Sequence, residues 1–156
     1  MKSIIILVSL LAVVAMADFI DIGYKTCKAD GTVSQVKADG CDLVIKDGKK
    51  VCLFKKGTRP VIQIAFKPST ASDKLKTSVR AKVGGSAMVD FPQQNSDACT
   101  YGVKCPLTAG SEQVFEQSIA ITDNHPAGDQ IQVNWQLTRP DAGKEVCIIF
   151  LAEIVE

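Results

Sequence analysis

The sequence predicts an all-β protein, a sandwich of two antiparallel sheets, and three observations carry that prediction. Residues 130–137 read QIQVNWQL and alternate without a fault: Ile131, Val133, Trp135 and Leu137 fall on one side, Gln130, Gln132, Asn134 and Gln136 on the other. Successive side chains of a strand point to opposite faces, so this is one strand with a dry face and a wet one. No window of useful length carries the period of a helix. Several short runs of the same kind follow one another, with turn residues between them, as in a β-sandwich.

The chain opens MKSIIILVSLLAVVAMA. A positive start, a short apolar run over 4–14 and a small-residue A-x-A site describe a secretory signal peptide cleaved after Ala17. The run falls short of the roughly 20 apolar residues a spanning helix needs. Residues 1–17 are thus expected to be removed and 18–156 to form one secreted domain, with the endosomal or lysosomal lumen as the other destination.

The elements follow in order. Residues 19–28 read as a strand with Ile20, Ile22 and Tyr24 on one face, and 31–37 as a weaker one. Residues 41–54 look like a hairpin, with apolar Leu43, Val44 and Ile45, a turn at Asp47-Gly48 and a return over 51–54. A four-residue loop over 45–48 would set Cys41 opposite Cys52, a separation a disulfide spans. Val61–Lys67 alternates cleanly, 68–73 is loop, and Val79, Ala81 and Val83 alternate with Arg80 and Lys82. Gly84-Gly85 break that run and 87–91 resume it. Residues 92–106 are loop-rich; Phe115, Ile119 and Ile121 share the face of the next strand, and 124–129 turn. After the QIQVNWQL strand and a turn over 140–144, residues 146–155 are apolar on both faces, which places that strand centrally in its sheet.

Six cysteines, an even count in an exported chain, predict three disulfides, and six allow fifteen pairings. They form no C-x-x-C pair and His125 is the only histidine, so no metal site is expected. Beyond Ala17 the charges balance at 17 basic and 17 acidic, but residues 18–90 hold 14 Lys or Arg against 8 Asp or Glu, and 91–156 hold 3 against 9. The halves are thus +6 and −6. Lys46, Lys49, Lys50, Lys55, Lys56 and Arg59 supply much of the excess, and Lys49, Lys50, Lys55 and Lys56 are the candidate contacts to an anionic membrane surface. Nucleic acid is not an expected partner outside the cell. No G-x-S-x-G occurs, the sole histidine lies beside Pro126 in a turn, and oxidised cysteines offer no thiol nucleophile, so neither an enzyme nor a cofactor is expected.

The residues Cys52-Leu-Phe-Lys-Lys-Gly57, Phe91-Pro92, Asp97-Ala-Cys99, Cys105-Pro106-Leu107, His125-Pro126 and Trp135-Gln136-Leu137, in this order and spacing, resemble the ML lipid-recognition family. Within it they are most similar to the Niemann-Pick type C sterol carriers and the group-two mite allergens. The resemblance implies an immunoglobulin-like sandwich with an apolar cavity between its sheets. It also implies the disulfides Cys27–Cys147, Cys41–Cys52 and Cys99–Cys105. Carried over position by position, it puts Phe54, Ile62, Val89, Phe91, Ile121, Pro126, Trp135 and Ile148 on the lipid. Here the chain departs from the family: the loop between Cys41 and Cys52 is longer, and His125 and Ile148 stand where aromatic residues are expected. The implied function is a monomeric carrier that binds and transfers a sterol or similar lipid, with anionic membranes or a membrane sterol transporter as transient partners. The alternatives are a module that presents a lipid to a receptor in immunity or chemosensing, and a packed adhesion domain.

Overall fold

A computed structural model describes residues 16–156, so the expected signal segment lies outside the described residues except for Met16 and Ala17. Eleven strands follow: β1 Ile20–Asp21, β2 Lys25–Thr26, β3 Thr32–Asp39, β4 Asp42–Lys46, β5 Lys49–Lys55, β6 Val61–Lys67, β7 Lys76–Val83, β8 Val89–Phe91, β9 Gln113–Ser118, β10 Gln130–Thr138 and β11 Lys144–Val155. The smaller sheet has the order β1-β3-β6-β9, the larger β4-β5-β11-β10-β7-β8, with β2 also on β11. Every pairing is antiparallel except that of β5 with β11. The long apolar β11 is central, with β10 along one side and β2 then β5 along the other.

Three local expectations are corrected: β9 ends at Ser118, so Ile119 and Ile121 do not share a strand with Phe115, and the other two concern the first part of the chain. Residues 19–28 are not one strand: β1 pairs with β3 in the small sheet and β2 with β11 in the large one. The Ile22 N–H still donates to the Val36 carbonyl (3.2 Å), after which the chain crosses at Gly23. A Cβ there would lie 2.7 Å from Cβ of Lys50, so the crossing passes too close to β5 for any side chain. The β4–β5 hairpin closes through two residues rather than four. Asp47 and Gly48 both have positive φ (50° and 71°), the type I′ turn whose twist matches that of the strands. Lys46 then pairs with Lys49, and Cys52 stands opposite Leu43 instead of Cys41. Cys41 and Cys52 are bonded nonetheless, diagonally, with Cα atoms 5.2 Å apart. Cys27–Cys147 and Cys99–Cys105 complete the three disulfides.

The core lies between the sheets. From the large sheet, alternate residues of four adjacent strands point inward: Cys52 and Phe54; Ile148, Phe150, Ala152 and Ile154; Ile131, Val133, Trp135 and Leu137; Val79 and Ala81. Pairing aligns them in rows across the strands: Val79, Trp135 and Ile148, then Ala81, Val133 and Phe150, then Val83, Ile131 and Ala152. At the end bearing the β10–β11 turn lies a buried charge, Glu145, with no solvent exposure. It accepts from Arg139 Nη1 and from the Ser69 backbone N–H (2.8 Å) and hydroxyl, so the carboxylate is fully partnered. Arg139 also pairs with Asp30 (3.0 Å) and Asp141 (3.2 Å). The Glu145 bond, against the opposing pull of burial, raises the Arg139 guanidinium above its ordinary range. The Gly143 N–H (2.9 Å), and then Arg139, lower the Asp141 carboxyl.

Candidate functional site

The end of the sandwich opposite that turn is not filled. A cavity of about 200 Å³ lies over the inner face of the large sheet, beginning at Val79 and extending through the two rows beyond it to Val83, Ile131 and Ile154. The small sheet does not cover this stretch. After β9 ends at Ser118 the chain runs over the cavity as an irregular segment, held by Ile119 N–H to the Pro60 carbonyl (2.9 Å), Ile121 N–H to Thr58 (3.0 Å) and Gly57 N–H to Ile121 (2.8 Å). That segment supplies Ile119, Ile121, His125 and Pro126 to the wall; β8 supplies Val89 and Phe91 from the side. Val89, at 57 % exposure, and the exposed Pro126 mark the rim.

Of the eight residues that the family resemblance puts on a lipid, the structure brings Phe54, Val89, Phe91, Ile121 and Pro126 together around this cavity. It places Ile62, Trp135 and Ile148 elsewhere, in the close-packed part of the core with no exposure at all. The reason is height along the strand: Trp135 pairs with Ile148 and Val79 in a row of which only Val79 reaches the cavity. Its indole N–H donates to Thr77 Oγ1 (2.9 Å), and its ring meets Phe115 edge to face at 5.8 Å. Ile62 lies on β6, opposite Gln117 of β9. Residues that sequence reasoning did not single out, Ala81, Val133, Phe150 and Ile154 among them, line the cavity instead. Their signal was the same two-residue alternation, which gives a face but not a height.

His125 is the one imidazole in the wall. Its Nδ1 accepts the Thr122 backbone N–H (2.9 Å), and its ring stacks on Phe91, with centroids 5.4 Å apart and planes 17° from parallel. A flat ring can therefore stand here where an aromatic was expected, still closing the side of the cavity. The other lining residues are hydrocarbon, so water inside would find almost no partner and an apolar molecule fits the space better. Larger hollows have another character. One of about 800 Å³ beside the β10–β11 turn is lined by groups such as Asp73, Lys74, Lys76 and Asn95, which stay hydrated.

The basic run does not form one patch. Lys49 and Lys55 stand at opposite ends of β5, six steps or roughly 20 Å apart. Lys55 and Lys56 lie at the cavity end, next to the chain that closes over it, and Lys49 and Lys50 by the hairpin turn. Lys46 pairs with Glu153, and Lys56 with Glu156 at 2.7 Å. Among the described residues no group of three or more His, Cys, Asp or Glu is placed to hold a metal ion.

Comparison with known proteins agrees with this architecture. Residues 21–154 match the model of the ML domain, and the chain belongs to that family. It is 78 % identical over 156 residues, the whole of both chains, to the protein heh-1 of Caenorhabditis elegans. It is 32 % identical over 117 residues to an MD-2-related lipid-recognition protein of Manduca sexta, covering 74 % of this chain and 70 % of that one. Among solved structures, a Niemann-Pick type C2 protein from the Japanese carpenter ant shares the fold, with a TM-score of 0.70 at 22 % identity over 88 % of this chain and 99 % of that one.

Proposed function

We propose that this protein is a secreted carrier that binds one sterol or similar lipid in the cavity and passes it between membranes, without chemistry. The observation that carries the reading is a hydrocarbon-walled space at one end of a disulfide-tied sandwich. A hydrocarbon-lined space left unfilled is a cost to the fold, because its walls lose packing partners. The Cys27–Cys147 bridge, spanning 120 residues, offsets about 4–5 kcal/mol in the chain-entropy account. The fold can thus hold the space open, and a lipid that fills it recovers the loss. Burying several hundred Å² of such a ligand is worth on the order of 10 kcal/mol before entropic costs, enough for micromolar or tighter binding.

At about 200 Å³ the cavity is smaller than the usual ~300–1,000 Å³ of a ligand site, so the lipid enters by parting the rim residues. Three disulfides support an oxidising compartment, outside the cell or within the lysosome. Lys55 and Arg59, exposed beside the covering segment, would face an anionic membrane during transfer. A second reading, a module that recognises a lipid and presents it, is in keeping with the name of the Manduca sexta relative, a lipid-recognition protein. Organic extraction of protein purified from its native source, followed by mass spectrometry, tests the first statement: one lipid per protein is expected, and none would oppose it. Vesicle-to-vesicle transfer distinguishes carrier from presenter.

A further inference from the structure

The large sheet ends on β4, which among the described residues is bonded on one side only, to β5. In a two-residue hairpin the residues flanking the turn, here Lys46 and Lys49, exchange both backbone hydrogen bonds, and the pattern alternates from there. Lys46, Val44 and Asp42 thus turn their backbone N–H and C=O groups toward β5, while Ile45 and Leu43 turn theirs outward. Folded proteins blunt such an edge with a charge, a proline, a bulge or a very short strand. The edges at β1, β8 and β9 follow that rule. β1 has two residues, β8 has three with Asp90 at its centre, and on β9 the Glu116 N–H is taken by the Tyr101 carbonyl (2.9 Å). β4 is five residues long, its register with β5 is unbroken, and its centre is Leu43-Val44-Ile45. Ile45 is 64 % exposed, more than any other large apolar side chain after Met16.

The strand Asp42-Leu-Val-Ile-Lys46 is complementary to itself when reversed. Laid antiparallel against a second copy about Val44, Leu43 of each copy stands opposite Ile45 of the other, and Asp42 opposite Lys46. The parity is right for pairing. Leu43 and Ile45 are the residues whose backbone groups point outward, so each Leu43–Ile45 pair exchanges two backbone hydrogen bonds. Their side chains share the face that bears Cys52, so the exposed Ile45 gains an apolar neighbour across the strands. On the other face Lys46 stands directly opposite Lys49, a like-charge pair, and Asp42 forms no ion pair among the described residues. Lys46 reaches Glu153 within its own chain, and Asp42 of the second copy adds a further opposite charge.

We infer that the protein self-associates, two copies pairing antiparallel along β4 so that their large sheets run on as one, in place of the monomer that the family resemblance implies. The pairing is twofold and closed, so it stops at two copies. A strand pair of this length makes a small interface, and the dimer belongs with the weak ones that bury less than about 1,200 Å². The two ion pairs are exposed and fix the register more than the strength. The dimer does not depend on the lipid-binding reading and is compatible with it. β4 and β8 end the large sheet on opposite sides, and β8 flanks the cavity, so both cavity mouths stay open.

Sedimentation equilibrium of the secreted protein, from about 10 µM to about 1 mM, should show a monomer–dimer equilibrium in the wild type. Ile45→Pro deletes an N–H that β5 does not use and blocks the open edge, so it should be monomeric throughout. The charges test the register itself. Asp42→Lys sets lysine against Lys46 of the second copy, and Lys46→Glu sets glutamate against Asp42, so each variant alone should dissociate about tenfold more readily. An equal mixture of the two sets unlike charges opposite each other at both ends and should restore the dimer. Should Ile45→Pro fail to fold, the two charge reversals, both at exposed positions, decide the matter. A wild type that stays monomeric up to about 1 mM would overturn the inference. So would a dimer that survives both charge reversals, or a mixture no more dimeric than its parts.

Discussion

Trp135 shows how much a single side chain does here without touching the cavity. Its indole N–H is satisfied by Thr77, whose hydroxyl in turn donates to Gln117 Oε1 (3.3 Å), so a buried polar chain links β10, β7 and β9. Trp135→Phe should therefore cost about 1–3 kcal/mol in denaturant unfolding, through the hydrogen bond that Thr77 Oγ1 no longer accepts and the lost volume, and leave ligand affinity nearly unchanged. Ala81 is the converse. It lies over the void on the inner face of β7, so Ala81→Phe should fill the space, keep the melting temperature and abolish binding. In a packed core the same change would cost about 1–3 kcal/mol through overpacking. Ile62→Phe, within the packed part, should incur that strain.

At the scale of the elements, the β10–β11 turn is tied down by a buried ion pair. Arg139→Ala would strand Glu145 without its cation and should destabilise by about 3–5 kcal/mol, measured by urea unfolding at neutral pH. Asp141 makes a weaker, pH-dependent contribution. Its carboxyl is held below the ordinary range in the folded state, so the stability it adds is present above the unfolded value and lost as pH falls through the folded one. Asp141→Asn should thus melt below wild type at neutral pH, and the gap should close below about pH 4. The strands themselves were legible because a two-residue period needs no knowledge of partners: β6, β7 and β10 lie where their alternation put them, and β11 where its run apolar on both faces did. The division of one apolar face into packed core and cavity was not legible. Trp135 and Val133 are equivalent in the pattern, and only pairing with Ile148 and Phe150 sets one in the packed core and the other on the cavity wall. The strand break at Gly23 was hidden for a like reason, since the clash that forbids a side chain there comes from Lys50, 27 positions further along the chain.

Over the whole molecule, the charge split along the chain does not become two faces. β11, from the acidic half, lies directly beside β5 from the basic half, and Lys46–Glu153 and Lys56–Glu156 join them. What remains at the cavity end is Lys55 with Arg59. On this account Lys55→Gln with Arg59→Gln should slow transfer to anionic vesicles, and added salt should mimic the change. Lys49→Gln with Lys50→Gln, remote from the rim, should matter less; a larger effect from the remote pair would place the membrane contact at the hairpin. The central claim, that the cavity is where the lipid goes, is tested most directly by one titration. Wild type and Ala81→Phe are each titrated with a labelled sterol and a labelled long-chain alcohol. Saturable one-to-one binding of at least one ligand by the wild type, lost in the equally stable Ala81→Phe, is the predicted result. A folded wild type that binds neither, or an Ala81→Phe protein that binds as the wild type does, would contradict it.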